Sequence, residues 1–357
     1  MPKRRKVALI SIGTAGTMGH FTLFKRLAQA LPRSVCETLI ISEQDYATFL
    51  KSDSATKNIR SMQVTKQPFQ RSVAGRFHHD SSDEIIRIME AEQITHIVFS
   101  TFFDTNIINW ARKKRIPCYL ISYPLRDSFA RLFFMRKYHQ FFDAVFLLND
   151  LLQPPPASEK NMFIVRLPLT FRPSANNRRP RLLIMCGGGG RPSAQLFLAL
   201  IQEGLAALLS AFPNLTCTMI TGPHHQEFRF NHPRVNIFEW SNNISTLIKK
   251  ADVIISEGGY FSIHDILSQG KAGVIIPGER RTDNQELRAL SYEGAGFGRC
   301  VLPEEGVERV VQEVSSLLTN PQQRTKIQQS CREYLHSLSQ QPSLVDALLQ
   351  HITQEQP

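Results

Sequence analysis

Two segments of the sequence show an apolar run, a glycine-rich turn and a helical pattern in the same order. The first apolar run, residues 7–12, leads into a turn with glycines at 13, 16 and 19, and the second, residues 181–186, leads into four consecutive glycines at 187–190. Such a turn brings backbone N–H groups and the positive end of a helix to the carboxyl edge of a sheet, which suits a phosphate or a sugar hydroxyl. The repeat predicts an α/β fold with two Rossmann-like domains that face one cleft.

Apolar strand-like runs alternate with helical patterns on both sides of a proline-rich interruption. Alternation of this kind predicts parallel sheets covered by helices. Residues 151–180 contain several prolines and little periodicity, which is typical of a connection between domains. We therefore predict an amino-terminal domain of residues 1–150, a linker of residues 151–180 and a carboxyl-terminal domain of residues 181–357 that includes the terminal helices.

The spacing of the cysteines and the length of the apolar runs bear on the cellular compartment of the protein. The six cysteines are far apart and form no Cys-x-x-Cys pair, so the sequence predicts neither a disulfide framework nor a zinc site. We therefore expect a cytoplasmic protein. No run approaches the roughly 20 apolar residues that a membrane helix needs, and we expect no membrane span.

The chain is strongly basic, with a net charge of +11 and a pI near 9.5, which favours an acidic partner. Basic residues cluster at 112–115 and again within 126–137, where aromatic residues are interleaved with them. A basic, aromatic helix fits a membrane surface. The same spacing fits an ordinary helix with one core face, so both interpretations stay open for residues 129–142.

Two residues of the amino-terminal half are candidates for the catalytic base. His20 stands at the start of the helix after the first glycine turn, where the helix dipole favours neutral imidazole. Asp104 lies in a turn at the end of a predicted strand. Either side chain is suited to accept a proton from a hydroxyl group. The alternative is structural: a capping or solvated histidine at position 20, and a helix cap before Asn106 at position 104.

A third strand, turn and helix pattern carries most of the polar side chains. Residues 256–270 place two glycines at the start of a helix and an acidic residue, Asp265, near its first turns, and Asp283, Asn284 and Gln285 follow the next predicted strand. The turn suits a phosphate group, and carboxylate and amide groups suit sugar hydroxyls. The pattern indicates a nucleotide-sugar pocket, although residues 283–285 would equally suit a loop that caps the next helix.

These motifs together resemble the MurG-type N-acetylglucosaminyltransferases, which have the GT-B fold. Residues 16–20 are similar to their first glycine loop, residues 187–190 take the place of their second glycine loop, and residues 256–270 with 283–285 are similar to their donor-binding signature. The resemblance extends from residue 7 to about residue 295. It implies donor-binding roles for Gly188, Gly189, Gly190, Arg191, Ile244, Glu257, Gly258, Gly259, Asp265, Asp283, Asn284 and Gln285. It also implies an acceptor or phosphate loop at Gly16, Thr17 and Gly19.

The resemblance implies an inverting glycosyltransferase. A hexose or N-acetylhexosamine would pass from a UDP-sugar to the hydroxyl of an acceptor, either lipid-linked or a small molecule, with His20 as the first candidate for the base and Asp104 as the second. Helix starts would neutralise the departing diphosphate, so we expect no metal and no cofactor. We expect no nucleic-acid partner. The implied location is cytoplasmic, with peripheral contact at the inner face of the membrane.

The sequence also departs from the pattern of these enzymes. Tyr123 and Pro124 stand where they carry a Gln-Asn pair, Met18 replaces a glycine, and Glu286 replaces a glutamine. These changes leave the acceptor undetermined. Two alternatives keep the fold: a nucleotide-sugar hydrolase, in which water is the acceptor, and a non-catalytic subunit that binds a partner enzyme or a membrane through residues 129–142.

Overall fold

The structure is a computed structural model of the 357-residue chain. It describes residues 4–13, 18–51, 56, 58–65, 70–71, 77–78, 81–123, 133, 136–149, 159–173, 179–225, 228–280 and 283–354. Gly16 and Thr17 of the predicted acceptor loop lie outside the described residues, as does part of the basic, aromatic stretch 129–142.

The amino-terminal domain is built on a seven-stranded parallel sheet with the strand order β3-β2-β1-β6-β7-β8-β9. Its central strands are buried on both faces, as their continuous apolar sequences require. The strands are β1 (Arg5–Ser11), β2 (Cys36–Ser42), β3 (Arg60–Gln63), β6 (His96–Ser100), β7 (Cys118–Ser122), β8 (Ala144–Leu148) and β9 (Met162–Val165). Strands β4 (Gln70–Arg71) and β5 (Phe77–His78) form a separate antiparallel pair.

The carboxyl-terminal domain repeats this plan with a six-stranded parallel sheet in the order β12-β11-β10-β13-β14-β15. The order of both sheets reverses beside the strand that precedes a glycine turn, β1 in one domain and β10 in the other. Ligands of open α/β sheets bind at such a switch point. The strands are β10 (Arg181–Met185), β11 (Thr216–Ile220), β12 (Val235–Phe238), β13 (Val253–Ser256), β14 (Ala272–Ile275) and β15 (Gly298–Cys300).

Helices connect the parallel strands and cover both sheets. In the first domain they are α1 (Gly19–Ala30), α2 (Ala47–Lys51), α3 (Ser82–Ala91) and α4 (Thr105–Lys113). The helices after the predicted linker are α5 (Pro192–Ala211), α6 (Ile244–Lys250), α7 (Tyr260–Ser268), α8 (Gln285–Gly294), α9 (Gly306–Thr319), α10 (Pro321–Leu338) and α11 (Leu344–Thr353). The predicted pair of Rossmann-like domains, each with a parallel sheet, is confirmed.

The structure differs from our predicted domain boundaries in two places. Strand β9 lies inside the predicted linker and forms the edge of the amino-terminal sheet. Helix α11 lies in the predicted carboxyl-terminal domain, but its apolar residues Leu344, Leu348 and Ile352 are buried in the core of the amino-terminal domain. The last helix of the chain thus returns from the carboxyl-terminal domain to the amino-terminal domain, which buries the apolar face of α11.

Within the described part of the chain, one helix, α5, is long and apolar enough by composition to cross a bilayer. Our expectation that no run approaches this length is therefore wrong for residues 192–211. Its buried residues, among them Phe197, Ile201 and Leu205, belong to the core of the carboxyl-terminal domain. This packing accounts for the apolar sequence of the helix.

Candidate functional site

His20 lies at the start of α1, where β1 and the first glycine turn deliver it to the carboxyl edge of the sheet. Its Nδ1 is 2.8 Å from the hydroxyl oxygen of Ser100, the last residue of the neighbouring strand β6. The rings of Phe102 and Tyr123 flank the imidazole at centroid distances of 5.8 and 5.5 Å. The hydrogen bond and the two rings fix the orientation of the imidazole.

The surroundings of His20 keep it neutral. Burial lowers the pKa of His20 to about 4; a hydrogen bond with the backbone of Ser100 opposes this effect, and the positive charge of Arg191 adds to it. Arg191 belongs to the carboxyl-terminal domain, so the charge that reaches His20 comes from the other side of the cleft. At neutral pH the imidazole is a proton acceptor.

The backbone beside this histidine is strained. Thr101 has φ of 60°, a left-handed conformation that β-branched residues rarely adopt. Its hydroxyl oxygen is buried without a hydrogen-bond partner. Strained, unsatisfied residues concentrate at functional sites, which agrees with a candidate site at the carboxyl end of β6.

We expect the free energy of unfolding to fall as the pH is lowered from 7 to 5. Burial lowers the pKa of both His20 and His96 from 6.5 to about 4, so in this range the unfolded chain binds protons that the folded chain excludes. Each histidine therefore contributes a loss of about 2 kcal/mol. Urea unfolding at both pH values measures the loss, and His96→Gln should remove one share of it. An unchanged pH dependence in that variant would contradict the assignment.

Asp104, the second candidate base, caps a helix. One carboxylate oxygen accepts hydrogen bonds from the backbone N–H groups of Asn106 and Ile107 at 2.8 and 2.9 Å, and the other accepts one from the Ser82 hydroxyl at 2.8 Å. The residue is fully buried. A carboxylate used in this way stabilises α4 and is not placed to receive a proton from a substrate.

The second glycine turn joins β10 to α5. Gly187 and Gly189 have φ of 63° and 76°, which side chains rarely tolerate. A Cβ atom on Gly189 would lie 2.5 Å from the carbonyl oxygen of Thr221, so the turn must pack directly against the loop after β11. Gly190 and Arg191 are exposed beyond it, at the start of α5.

A cluster of charged groups lies beside this turn. The buried Glu257 carboxylate accepts hydrogen bonds from the Ser193 hydroxyl and from Arg280, both at 2.7 Å. Burial raises the pKa of Glu257, while Arg280, Ser193 and Arg191 oppose that rise. The surrounding protein partly desolvates the exposed Arg191 and so lowers its pKa, and the nearby Arg280 lowers it further. Arg280 is thus paired with Glu257, and the nearby Arg191 adds a second positive charge, so the start of α5 is net positive.

The third turn leads into α7, which bears Asp265. Gly258 has φ of 83° and Gly259 is the N-cap, with no side chain capping the helix. Asp265 lies further along the helix and forms an ion pair of 2.7 Å with Arg26 of the amino-terminal domain. The sequence predicted the position of Asp265 but not this partner.

The side chains of residues 283–285 make structural contacts. Asp283 pairs with the buried Arg288 at 2.6 Å, Asn284 accepts a hydrogen bond from the backbone N–H of Leu287, and Gln285 accepts one from the backbone N–H of Gly278. Asn284 is thus the N-cap of α8, as in the capping alternative. These bonds use the amide oxygens of Asn284 and Gln285, and the NH2 group of each side chain is a separate donor that suits a sugar hydroxyl.

Aromatic side chains of the two domains meet at the cleft. Tyr123 lies 5.3 Å from Tyr260 and 5.8 Å from Phe261, measured between ring centroids. The Tyr260 hydroxyl donates a hydrogen bond of 2.8 Å to the carbonyl of Asn149. Ile244 is the first residue of α6, where helical N–H groups lack partners within the helix.

Sequence reasoning missed several of these residues. Ser100, Arg26, Ser193 and Arg280 are single polar residues outside the glycine motifs, and their partners are distant in sequence. The one available signal was position, because Ser100 ends a strand and Arg280 follows one.

Comparison with known proteins agrees with this geometry. Residues 182–342 match the family described as glycosyltransferase family 28 C-terminal domain. The chain is 25% identical over 162 residues to an N-acetylglucosamine transferase of Thermoanaerobacter sp. strain X514, covering 42% of this chain and 43% of the relative. It is 26% identical over 195 residues to the corresponding protein of Chlamydia pneumoniae, covering 50% and 52%. The chain thus spans about half the length of the curated relatives it matches.

Solved structures share the whole fold at low sequence identity. MurG of Acinetobacter baumannii superposes with a TM-score of 0.65 at 17% identity and covers 98% of this chain and 99% of its own. The spinosyn forosaminyltransferase SpnP superposes with a TM-score of 0.72 at 14% identity, covering 99% and 100%. The chain therefore has the GT-B fold, and its residues 182–342 are similar to the C-terminal domain of glycosyltransferase family 28.

Proposed function

We propose that this protein is an inverting, metal-independent glycosyltransferase that moves a hexose or N-acetylhexosamine from a UDP-sugar to an acceptor hydroxyl. The observation that carries the proposal is the position of His20, whose ring contacts Tyr123, which in turn contacts Tyr260 of the carboxyl-terminal domain. A neutral imidazole on the amino-terminal side faces a net positive cluster on the family 28 domain. A base and an anion site on opposite walls of one cleft are what an in-line displacement requires.

In the proposed reaction the acceptor oxygen attacks the anomeric carbon from the face opposite the diphosphate. The bond between that carbon and the diphosphate oxygen breaks, its electron pair leaves with UDP, and the acceptor proton passes to His20. Because Nδ1 is engaged with Ser100, the proton would go to Nε2. We leave Asp104 out of this mechanism because its oxygens cap α4.

Donor binding would itself prepare the base. In the unliganded cleft the charge of Arg191 contributes to the low pKa of His20. A diphosphate beside Arg191 would offset that charge and so raise the pKa of His20, while burial, the largest cause of the low pKa, would remain. The base would then be strongest when the sugar is in place.

The remaining donor contacts are proposals that follow from the family match. The Gly188 to Gly190 amides with Arg191, Gly258 and Gly259 would hold the diphosphate, and Asp265 the ribose. The backbone of Ile244 would contact the uracil ring of the donor. The side chains that would bind the donor sugar are Asp283, Asn284 and Gln285. The relatives are named as transferases that act on a lipid-linked muramyl acceptor, and we propose either a lipid-linked or a small-molecule acceptor for this chain.

We also propose a cytoplasmic location, with peripheral contact at the inner face of the membrane. The six cysteines are all free and buried, which suits a reducing compartment.

UDP release from a panel of UDP-sugars, measured with and without candidate acceptors, tests the function. Acceptor-dependent release with inversion at the anomeric carbon is the expected result. Release that needs no acceptor would instead indicate the hydrolase, and no release with any donor would contradict the proposal.

We expect activity to be unchanged in excess EDTA. Arg191 and Arg280 carry the positive charge that a divalent cation supplies in other transferases, so no ion is needed at the diphosphate. Initial rates with EDTA, and with Mg²⁺ or Mn²⁺ added back, measure this. A loss of activity in EDTA that Mn²⁺ restores would show that the arginines are insufficient.

A further inference from the structure

The side chain of Arg26 crosses the cleft from α1 to α7. Its Nη2 lies 2.7 Å from each carboxylate oxygen of Asp265. Its guanidinium carbon lies 4.9 Å from the centre of the Phe261 ring. Phe261 and Asp265 are four residues apart and so share one face of α7. The helix therefore holds the arginine at two points.

This ion pair leaves room on the carboxylate. An ionised carboxylate has about four acceptor positions, and Nη2 occupies one on each oxygen. The Asp265 side chain keeps 22% of its surface exposed. A vicinal diol can therefore use the remaining positions while Arg26 stays bound.

The ion pair also reduces the repulsion between the Asp265 carboxylate and the negatively charged donor that the proposed function requires. A nucleoside diphosphate carries negative charge, and a bare carboxylate next to its ribose would repel it. The positive charge of Arg26 offsets that repulsion without blocking the acceptor positions of Asp265.

We propose that Arg26 is a positioning residue for the donor nucleotide. It fixes the Asp265 carboxylate so that the free acceptor positions meet the ribose diol, and it offsets the charge of that carboxylate. The proposal rests on the proposed function and extends it: the amino-terminal domain contributes to donor affinity as well as to the acceptor side. The donor site is complete only when the two domains are in contact.

A double-mutant cycle on the full-length protein tests this. The variants are Arg26→Ala, Asp265→Asn and the two together, with Arg26→Lys as the conservative change. UDP affinity is measured by calorimetry, and steady-state kinetics separate KM for the donor from kcat. Arg60→Ala is the matched control, because Arg60 pairs with Glu92 at 2.6 Å on the same domain but away from the cleft. Melting temperatures establish that each variant is folded.

We expect Arg26→Ala to raise Kd and KM about tenfold with kcat changed by less than about twofold. Arg26→Lys should recover part of the affinity, and Arg26→Ala should add nothing to Asp265→Asn. Unchanged or tighter binding in Arg26→Ala would overturn the proposal, since tighter binding would mean that Arg26 competes with the ribose. Multiplicative effects of the two substitutions would overturn it as well. Failure of the unsubstituted protein to bind any nucleoside diphosphate would refute the proposed function itself, and this inference with it.

Discussion

Replacing His20 with alanine should lower kcat roughly 100- to 10,000-fold while UDP affinity stays the same. The expectation follows from its position: the imidazole lies on the amino-terminal side of the cleft, hydrogen-bonded to Ser100, and does not belong to the carboxyl-terminal domain, where we propose that the donor binds. Removing it takes away the proton acceptor and leaves the diphosphate contacts in place. Initial rates at saturating donor, together with calorimetry of UDP binding, measure the two effects separately.

Ser100→Ala provides the graded comparison for this prediction. It removes the partner of Nδ1 but keeps the imidazole, so its effect on kcat should be smaller than that of His20→Ala. Because the folded protein excludes a proton from His20, the alanine variant should also be less sensitive to acid unfolding. An unchanged rate in His20→Ala would remove His20 from the mechanism.

Replacing Arg191 with alanine should lower kcat by about 100- to 1,000-fold. Negative charge builds on the diphosphate as its bond to the sugar breaks, and Arg191 with Arg280 supplies the net positive charge at the start of α5. Arg191 is the better test of the two, because removal of Arg280 would also leave the buried Glu257 without its ion-pair partner. Rates are measured with donors that carry good and poor leaving groups.

Arg299→Ala is the matched control for this substitution, since Arg299 pairs with Glu313 at 2.9 Å elsewhere in the same domain. It should leave kcat unchanged. The deficit in Arg191→Ala should shrink with a donor whose leaving group is more stable as an anion. A kcat loss that is equal for all donors would indicate that Arg191 acts on binding or folding and not on the departing diphosphate.

Much of the fold follows from the sequence because parallel strands buried on both faces are continuous apolar runs. The cores of β1, β6, β10 and β13 are of this kind. Strand β3 was not predicted, because Arg60–Gln63 lies at the sheet edge and is largely exposed, so it has no apolar signature. Apolar periodicity in a sequence reflects burial of one face of an element, and an exposed edge strand has little buried surface.

The sequence predicted the glycine turns of the candidate site, which the backbone conformation requires. It was less informative about polar side chains, because each of these can bond to several different partners. A backbone position with positive φ favours glycine. The glycines at 187, 189 and 258 therefore marked the turns in the sequence. A polar residue after a strand, by contrast, satisfies a helix cap as readily as a substrate. Asp104 and Asn284 cap helices, whereas His20 does not. Contacts such as Arg26 with Asp265 join residues 239 positions apart, and no local pattern reports them.

The most direct test of the central claim is a thermal-shift panel with UDP, dTDP, GDP, CDP and ADP on the unsubstituted protein and on Asp265→Ala. A ligand that binds the folded state alone raises the melting temperature by mass action. We predict that UDP raises it and that the rise is lost in Asp265→Ala. If none of the five nucleotides raises the melting temperature, the chain does not use a nucleotide sugar, and the proposed glycosyltransferase function is contradicted.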